Sequence, residues 1–477
     1  MNNNLLLCLD SYKLGHMTMY PEGTTKIYSY LCARSTKKES QALFFGLQYY
    51  IKEYLSKGVS KADADEFLEY RKNILGNNPD DVVQKVYALA ELGYLPISIK
   101  AVPEGTVLDN KNVLATVTNT HPDFAWVVGF FESLLLKVWN TTTVATKSLK
   151  FKRLVTDFAK RTSDSDFLLP FQVHDFGYRG CSSEETAALS GSAHLINFLG
   201  TDTVPAVKLA RDNYNAQEPV GLSVPATEHS VMCAYKKENE IDAFRRVLEL
   251  NPEGIVSIVS DTYDLWNVLE NFTDELRSEI LNRPEGSKTV FRPDSGDPKL
   301  IICGDPSAPV GSPQNKGTIR LLDEKFGSTI NSKGFRELNP KIGMIYGDAM
   351  FYERFQDVLS TLEDMGYAST NLVIGIGGLL LQQNNRDDLG FAFKATFAVV
   401  NGEERELFKD PITDKKKRSH KGRMKLVQQD GKFITIDQVS EAEEATGLLE
   451  EVFRDGKLIK EISFDEIKAN VLETGNL

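Results

Sequence analysis

Cysteine is scarce in this sequence. There are five in 477 residues (Cys8, Cys32, Cys181, Cys233 and Cys303), an odd number with no CxxC pair. That excludes a zinc ribbon and a disulfide framework, and leaves reduced thiols as expected of a cytoplasmic protein. Six histidines are too few for a histidine-rich metal protein. Basic residues fall short of acidic ones, 55 against 67, giving a net charge of −12 and a pI near 5.2. Such a chain is a poor match for nucleic acid or an anionic membrane surface, and neither is expected as a partner. Long apolar runs are also missing. The most apolar helix-like stretch, 124–139, is short and carries Glu132 and Lys137, so it reads as a buried helix. The opening MNNNLLLCLDSYK has no basic region and only a brief apolar run, so no signal peptide is expected. GxxxxGK[ST] does not occur, and the glycine loop at 375–378 is not GxGxxG. Walker and Rossmann readings therefore lack support.

What is present is an ordinary globular composition, 41% hydrophobic and 26% charged, in a chain long enough for two or three domains. Residues 5–34 read as a loop and then a strand, 40–92 as mostly helical, and 95–118 as alternating β structure. Helices are expected near 122–139 and 142–162. The last ninety residues return to β structure, with Asp430-Gly431 and Asp455-Gly456 as hairpin turns. The middle alternates. Apolar strands are expected at 171–174, 255–260, 288–291, 342–346 and 372–376, with amphipathic helices between some of them.

Polar groups follow these strands at Asp175, Asp202, His229, Asp261, Asp294, Asp348 and Gly377-Gly378, separated by 27, 27, 32, 33, 54 and 29 residues. One βα unit takes about 30 residues. The spacing predicts a β/α barrel over 151–386, with its active site on the C-terminal rim. Segments 1–150 and 387–477 would together form a second, α+β domain.

Within that frame, 173–186 organises the rest. A short strand breaks at Gly177 and Gly180 and enters a helix, with Ser182 and Glu185 spaced as a capping box. Phe176 offers a flat apolar face and Arg179 a planar cation, which suits a flat ring beside a phosphate. Arg292-Pro293-Asp294-Ser295-Gly296 is a rigid loop alternating cation and carboxylate, and Tyr346-Gly347-Asp348 repeats strand, glycine, carboxylate. His229 sits in a proline-containing loop, where a general base, a phosphate contact or a nucleophile all remain open. Taken together, these groups suit a ligand with several phosphates, a hydroxylated sugar and a flat ring. Two or three of the aspartates suit Mg²⁺.

The motifs DSYK (10–13), HDFGYRG (174–180), GTDT (200–203), SVPATEHS (223–230), SDTYD (260–264), RPDSG (292–296), YGD (346–348) and GIGGLLLQ (375–382) closely resemble those of the nicotinamide phosphoribosyltransferase family. These are dimeric type II phosphoribosyltransferases, and the resemblance runs from Leu5 to the C-terminal hairpins. It implies transfer of phosphoribose from phosphoribosyl pyrophosphate to nicotinamide, stimulated by ATP. It also implies a homodimer in which the ring lies between Phe176 and Tyr12 of the other subunit. Asp202 would accept the carboxamide N–H, and Arg179 and Arg292 would contact phosphate or pyrophosphate. Asp294, Gly347 and Asp348 would hold the ribose end, and Gly377, Gly378 and Arg386 the 5′-phosphate. Lys394, Lys409 and Lys417 match basic residues near the polyphosphate. Asp261 and Asp294 would organise Mg²⁺, and His229 matches the histidine that ATP phosphorylates. The alternatives are nicotinate phosphoribosyltransferase, which Asp202 opposes because it would repel a carboxylate, and a non-catalytic binding protein on the same scaffold.

Overall fold

The structure, a computed structural model, describes residues 4–35, 37, 39–348, 350–409 and 419–475. The chain forms two compact units. One comprises Met1–Thr146, Leu209–Gln217 and Asn384–Asn476; the other comprises Lys147–Lys208 and Glu218–Gln383. The sequence reading did not set Leu209–Gln217 apart from its surroundings.

The second unit is a parallel β/α barrel. Five strands, Val173–Asp175, Ile255–Val259, Lys288–Arg292, Ile342–Tyr346 and Leu372–Ile376, pair in parallel. Two further staves are reduced to bridges, Asp175 with Thr201 and Gly200 with Leu222, while Ala226 joins Ser257 to close the ring. The backbone bonds continue through these staves: Asp175 N–H to Gly200 O at 3.0 Å, Thr201 N–H to Leu222 O at 3.0 Å, and Thr227 N–H to Ser257 O at 3.0 Å. The rim groups therefore step around the ring one stave at a time. The last four strand expectations agree with the structure to within a residue.

The first strand departs from expectation. It covers Val173–Asp175, and Leu169–Phe171 is a 3₁₀ turn instead. Pro170 has no N–H to give a ladder; its carbonyl instead accepts from Leu199 N–H at 2.7 Å. The helix that follows begins at Glu184, and its cap is Ser183, whose hydroxyl accepts the Thr186 N–H at 3.1 Å. The expected box from Ser182 and Glu185 is thus one residue out of register.

The first unit is built on a seven-stranded antiparallel sheet that interleaves both ends of the chain. Thr24–Cys32 lies between Ala392–Val400 and Val113–Asn119; beyond the former comes the edge strand Glu403–Glu406, and beyond the latter come Ile97–Ala101, Glu450–Arg454 and Lys457–Leu458. Both Asp-Gly turns connect hairpins as expected, with Asp430 and Asp455 at positive φ, 50° and 49°. One expectation fails nearby. Only short helical pieces occupy 122–135, and an unbroken helix, Val138–Thr162, follows. The threonine run inside it looks unfavourable for helix, yet Thr143 donates to Trp139 O and Thr146 to Thr142 O, both at 2.6 Å. These hydroxyls are satisfied without breaking the helix.

Candidate active site

Strand periodicity sets which side chains enter the barrel. Along 173–176, His174 and Phe176 face a lumen cavity of about 460 Å³, which Asp202, Ser223 and Arg292 also line. Asp175 points the other way and is fully buried, accepting the Gly177 N–H at 2.7 Å and the Thr201 hydroxyl at 2.9 Å. Phe176 is anchored by its N–H to Ile376 O at 2.9 Å, and its ring meets His174 at 5.0 Å between centroids, tilted 51°. The ring lies where a side chain at 375 would be, since a Cβ on Gly375 would fall 2.1 Å from it. The flat face expected of Phe176 is therefore fixed by strand backbone on one side.

Asp202 stands at the end of its stave. His174 Nε2 lies 2.9 Å from its Oδ1, and the Ser223 hydroxyl donates to the same oxygen at 2.6 Å. Burial pushes this carboxyl up, but the hydrogen bonds from His174 and Ser223 and the charge of Arg292 outweigh it and hold it below its ordinary value. Arg292 gives one guanidinium N–H to Thr227 O, while its Nε is buried with no hydrogen-bond partner among the described residues.

A second cluster follows. Asp261 Oδ2 accepts the Asp294 N–H at 2.9 Å and the Ser295 hydroxyl at 2.5 Å; its Oδ1 is buried and has no hydrogen-bond partner among the described residues. His229 opens the helix His229–Ala234, with Nδ1 3.1 Å from the Thr262 hydroxyl. Its Nε2 lies 4.0 Å from Asp261 Oδ1 and 3.9 Å from Asp294 Oδ2. Asp294 is held above its ordinary value, first by burial and also by the charges of Asp261 and Asp348, with Arg292 and His229 opposing. Gly347 backs this group, because a Cβ there would fall 2.4 Å from Asp294 Oδ1. The orphaned, buried Oδ1 beside a second carboxylate fits a divalent cation. Among the described residues no group of three or more His, Cys, Asp or Glu is set to hold a metal.

Arg179 is exposed on the 3₁₀ turn Tyr178–Gly180, and Gly377 precedes the short helix Gly378–Leu381 at the end of the last strand. The remaining expected residues belong to the first unit. Tyr12 is exposed on Ser11–Thr18. Arg386 is paired with Asp387 at 3.4 Å. Lys394 is pushed below its ordinary value by burial and by the neighbouring charges of Arg34, Lys409 and Arg386, with Glu132 opposing. These four cations form one positive cluster. Lys417 lies outside the described residues. The sequence reading gave no role to His174, Ser223 or Thr262. Alternation along 173–176 was the signal that would have placed His174 beside Phe176.

A profile of the nicotinate phosphoribosyltransferase (NAPRTase) family matches residues 171–457. The chain belongs to that family. A second profile, described as the nicotinamide phosphoribosyltransferase N-terminal domain, matches residues 4–99. Nicotinamide phosphoribosyltransferase of Acinetobacter baylyi is 41% identical over 98% of this chain and 97% of its own length. The Xanthomonas campestris protein of the same name is 38% identical over 98% of each. Among solved structures, nicotinate-nucleotide pyrophosphorylase from Pyrococcus furiosus superposes with a TM-score of 0.62 at 14% identity, covering 100% of this chain and 97% of that one. Human nicotinic acid phosphoribosyltransferase gives 0.58 at 14% identity, covering 98% and 93%. The latter two speak for the fold: a β/α barrel of the type II phosphoribosyltransferase kind, with a separate α+β domain. Among the described residues no helix is long and apolar enough to cross a membrane.

Proposed function

We propose that this chain is a nicotinamide phosphoribosyltransferase, a pentosyltransferase that makes nicotinamide mononucleotide and pyrophosphate from nicotinamide and phosphoribosyl pyrophosphate. The observation that carries the reading is the ionised Asp202 lining the same cavity as the Phe176 ring, with Oδ2 free of any hydrogen bond among the described residues. A carboxylate acceptor there suits a carboxamide N–H and repels nicotinate.

The reaction breaks the C1′–O bond to pyrophosphate and forms a C1′–N bond to the pyridine nitrogen, whose lone pair is already free. No strong base is required. Catalysis is therefore positioning and electrostatics around an oxocarbenium-like ribose. Phe176 stacks on the ring and Asp202 orients its amide. Asp294 and Asp348 take ribose hydroxyls, and the Asp294 carboxylate opposes the positive charge that develops on the sugar. Gly347 leaves room for Asp294. Arg179 and Arg292 neutralise the departing pyrophosphate. Gly377 and Gly378 present backbone to the 5′-phosphate. In the first unit, Arg386, Lys394 and Lys409 are basic residues suited to phosphate, as is Lys417 by its sequence. Asp261 and Asp294 would hold Mg²⁺, which when bound supplies positive charge to the pyrophosphate. ATP phosphorylates His229: the P–O bond between the γ-phosphoryl group and ADP breaks, an N–P bond forms, and ADP departs. Tyr12 of a second subunit completes the ring site in a homodimer, and the enzyme is cytoplasmic.

Pyrophosphate release from phosphoribosyl pyrophosphate, with nicotinamide or nicotinate as acceptor, tests the reading. Release with nicotinamide at much the higher kcat/KM is expected. Preference for nicotinate would replace the substrate, and no release with either would leave a binding protein.

A further inference from the structure

Asp202 does not stand alone. Two donors, His174 Nε2 at 2.9 Å and the Ser223 hydroxyl at 2.6 Å, converge on one of its two oxygens. They differ in how firmly they are held. Ser223 comes from an exposed loop, whereas His174 is buried in a barrel strand. Its ring is confined on three sides: by the Asp202 carboxylate, by the Phe176 ring, and by the backbone at Gly200, where a Cβ would fall 2.7 Å from Nδ1. An imidazole so confined has one orientation, and that orientation aims Nε2 at Oδ1.

This matters for selectivity. A free aspartic acid would have an escape route, because once protonated it could donate its O–H to a nicotinate carboxylate. A carboxylate that already accepts two hydrogen bonds on one oxygen resists protonation. It also cannot rotate without breaking both bonds, so only the bare acceptor Oδ2 is offered. Among the described residues, the charged or titratable groups that act most strongly on Asp202 are His174 and Arg292, and both favour its ionised form. We propose that His174 is the positioning residue for Asp202, so that preference for the amide over the acid belongs to the His174–Asp202 pair and not to Asp202 alone. The inference rests on the reading of Asp202 as the group that recognises the carboxamide.

The test measures kcat and KM for nicotinamide and for nicotinate in Asp202→Asn, His174→Leu, His174→Gln and the double variant His174→Leu/Asp202→Asn. Asp202→Asn is expected to narrow the ratio of the two kcat/KM values at least tenfold. His174→Leu should narrow it at least fivefold, mainly through KM for nicotinamide. Glutamine, which restores an N–H donor at a similar reach, should recover it to within about twofold of the parent. The double variant should be no less selective than Asp202→Asn. A ratio moved by Asp202→Asn and untouched by His174→Leu would overturn the positioning role while leaving Asp202 as the amide reader. Independent, multiplicative effects would show that His174 meets the ligand directly, and would also overturn it. A ratio unmoved by Asp202→Asn would remove the reading of Asp202 itself. If His174→Leu proves unfolded by circular dichroism, His174→Asn serves instead: it keeps a polar side chain too short to reach Asp202 Oδ1 in place of Nε2, and it should narrow the ratio at least fivefold. A ratio left unchanged by a folded His174→Asn would overturn the positioning role.

Discussion

Asp261 Oδ2 receives the backbone N–H of Asp294 at 2.9 Å, so one carboxylate fixes the backbone that carries the other. The second oxygen of Asp261 is buried with no hydrogen-bond partner among the described residues. A buried, unpaired carboxylate oxygen costs stability unless a cation meets it. Asp261→Asn should raise the Mg²⁺ concentration for half-maximal activity by at least about tenfold, with little change in melting temperature. Titration of activity against Mg²⁺ checks this. An unchanged Mg²⁺ profile would mean that Asp261 serves only to hold the loop.

His229 is expected to carry the phosphoryl group, with its Nε2 facing Asp261 and Asp294. Phosphorylation would add charge and strong acceptors beside the pyrophosphate site. His229→Ala should abolish ATP hydrolysis and the ATP-dependent gain in nucleotide yield, while slow uncoupled transfer survives. ATP turnover retained by the variant would exclude the role.

Tyr12, exposed in the first unit, tests the shared site. Aromatic stacking contributes about 0.5–1.5 kcal/mol beyond area burial, so Tyr12→Ala should raise KM for nicotinamide severalfold. Arg179→Ala should impair pyrophosphate handling within its own chain. Co-refolded mixed dimers of the two variants should regain part of the activity, because one of the two sites then has both native residues. Mixed dimers shown to be present and still inactive would put both residues in one chain.

Glu104 is fully buried, accepting N–H bonds from Gly46 at 2.7 Å and Gln48 at 2.6 Å and the Tyr214 hydroxyl at 3.1 Å. Burial outweighs these bonds and pushes its carboxyl up to about 7. The folded protein then keeps a proton that the unfolded chain releases. Stability from this group is full below about pH 4.5, falls as pH rises to about 7 and is flat above, a loss of order 3 kcal/mol. Glu104→Gln should flatten that fall. Urea unfolding of both proteins at pH 5 and pH 8 measures it. A stability difference between them that is the same at both values would show that Glu104 is charged throughout.

The barrel was legible because its rim groups recur at near-regular intervals, and a polar residue at a strand end is visible without coordinates. The reading was weakest where hydrogen bonding competes with pattern. Ser182 and Ser183 are equivalent as letters, and only backbone geometry makes Ser183 the cap. The staves at Thr201 and Leu222 are single bridges, too short for an alternating pattern, so the sequence marked them only through Asp202 and His229. His174 was hidden for another reason. It sits inside a motif where Phe176 and Arg179 offer the flat face and the planar cation, and its pairing with Asp202 spans 28 residues and two staves.

The strand Thr24–Cys32 has one of its two neighbours, Ala392–Val400, some 360 residues later in the chain. At ribosomal speeds of about 5–20 residues per second, that neighbour arrives roughly 20–70 s after the strand itself. Throughout that interval the barrel can be completed, while Thr24–Cys32 shows an open edge to whatever else is in the cell. A nascent chain of this design therefore finishes its middle before its beginning. Its demand for chaperones should be concentrated on the first-made segment and end when the Ala392–Val400 strand emerges.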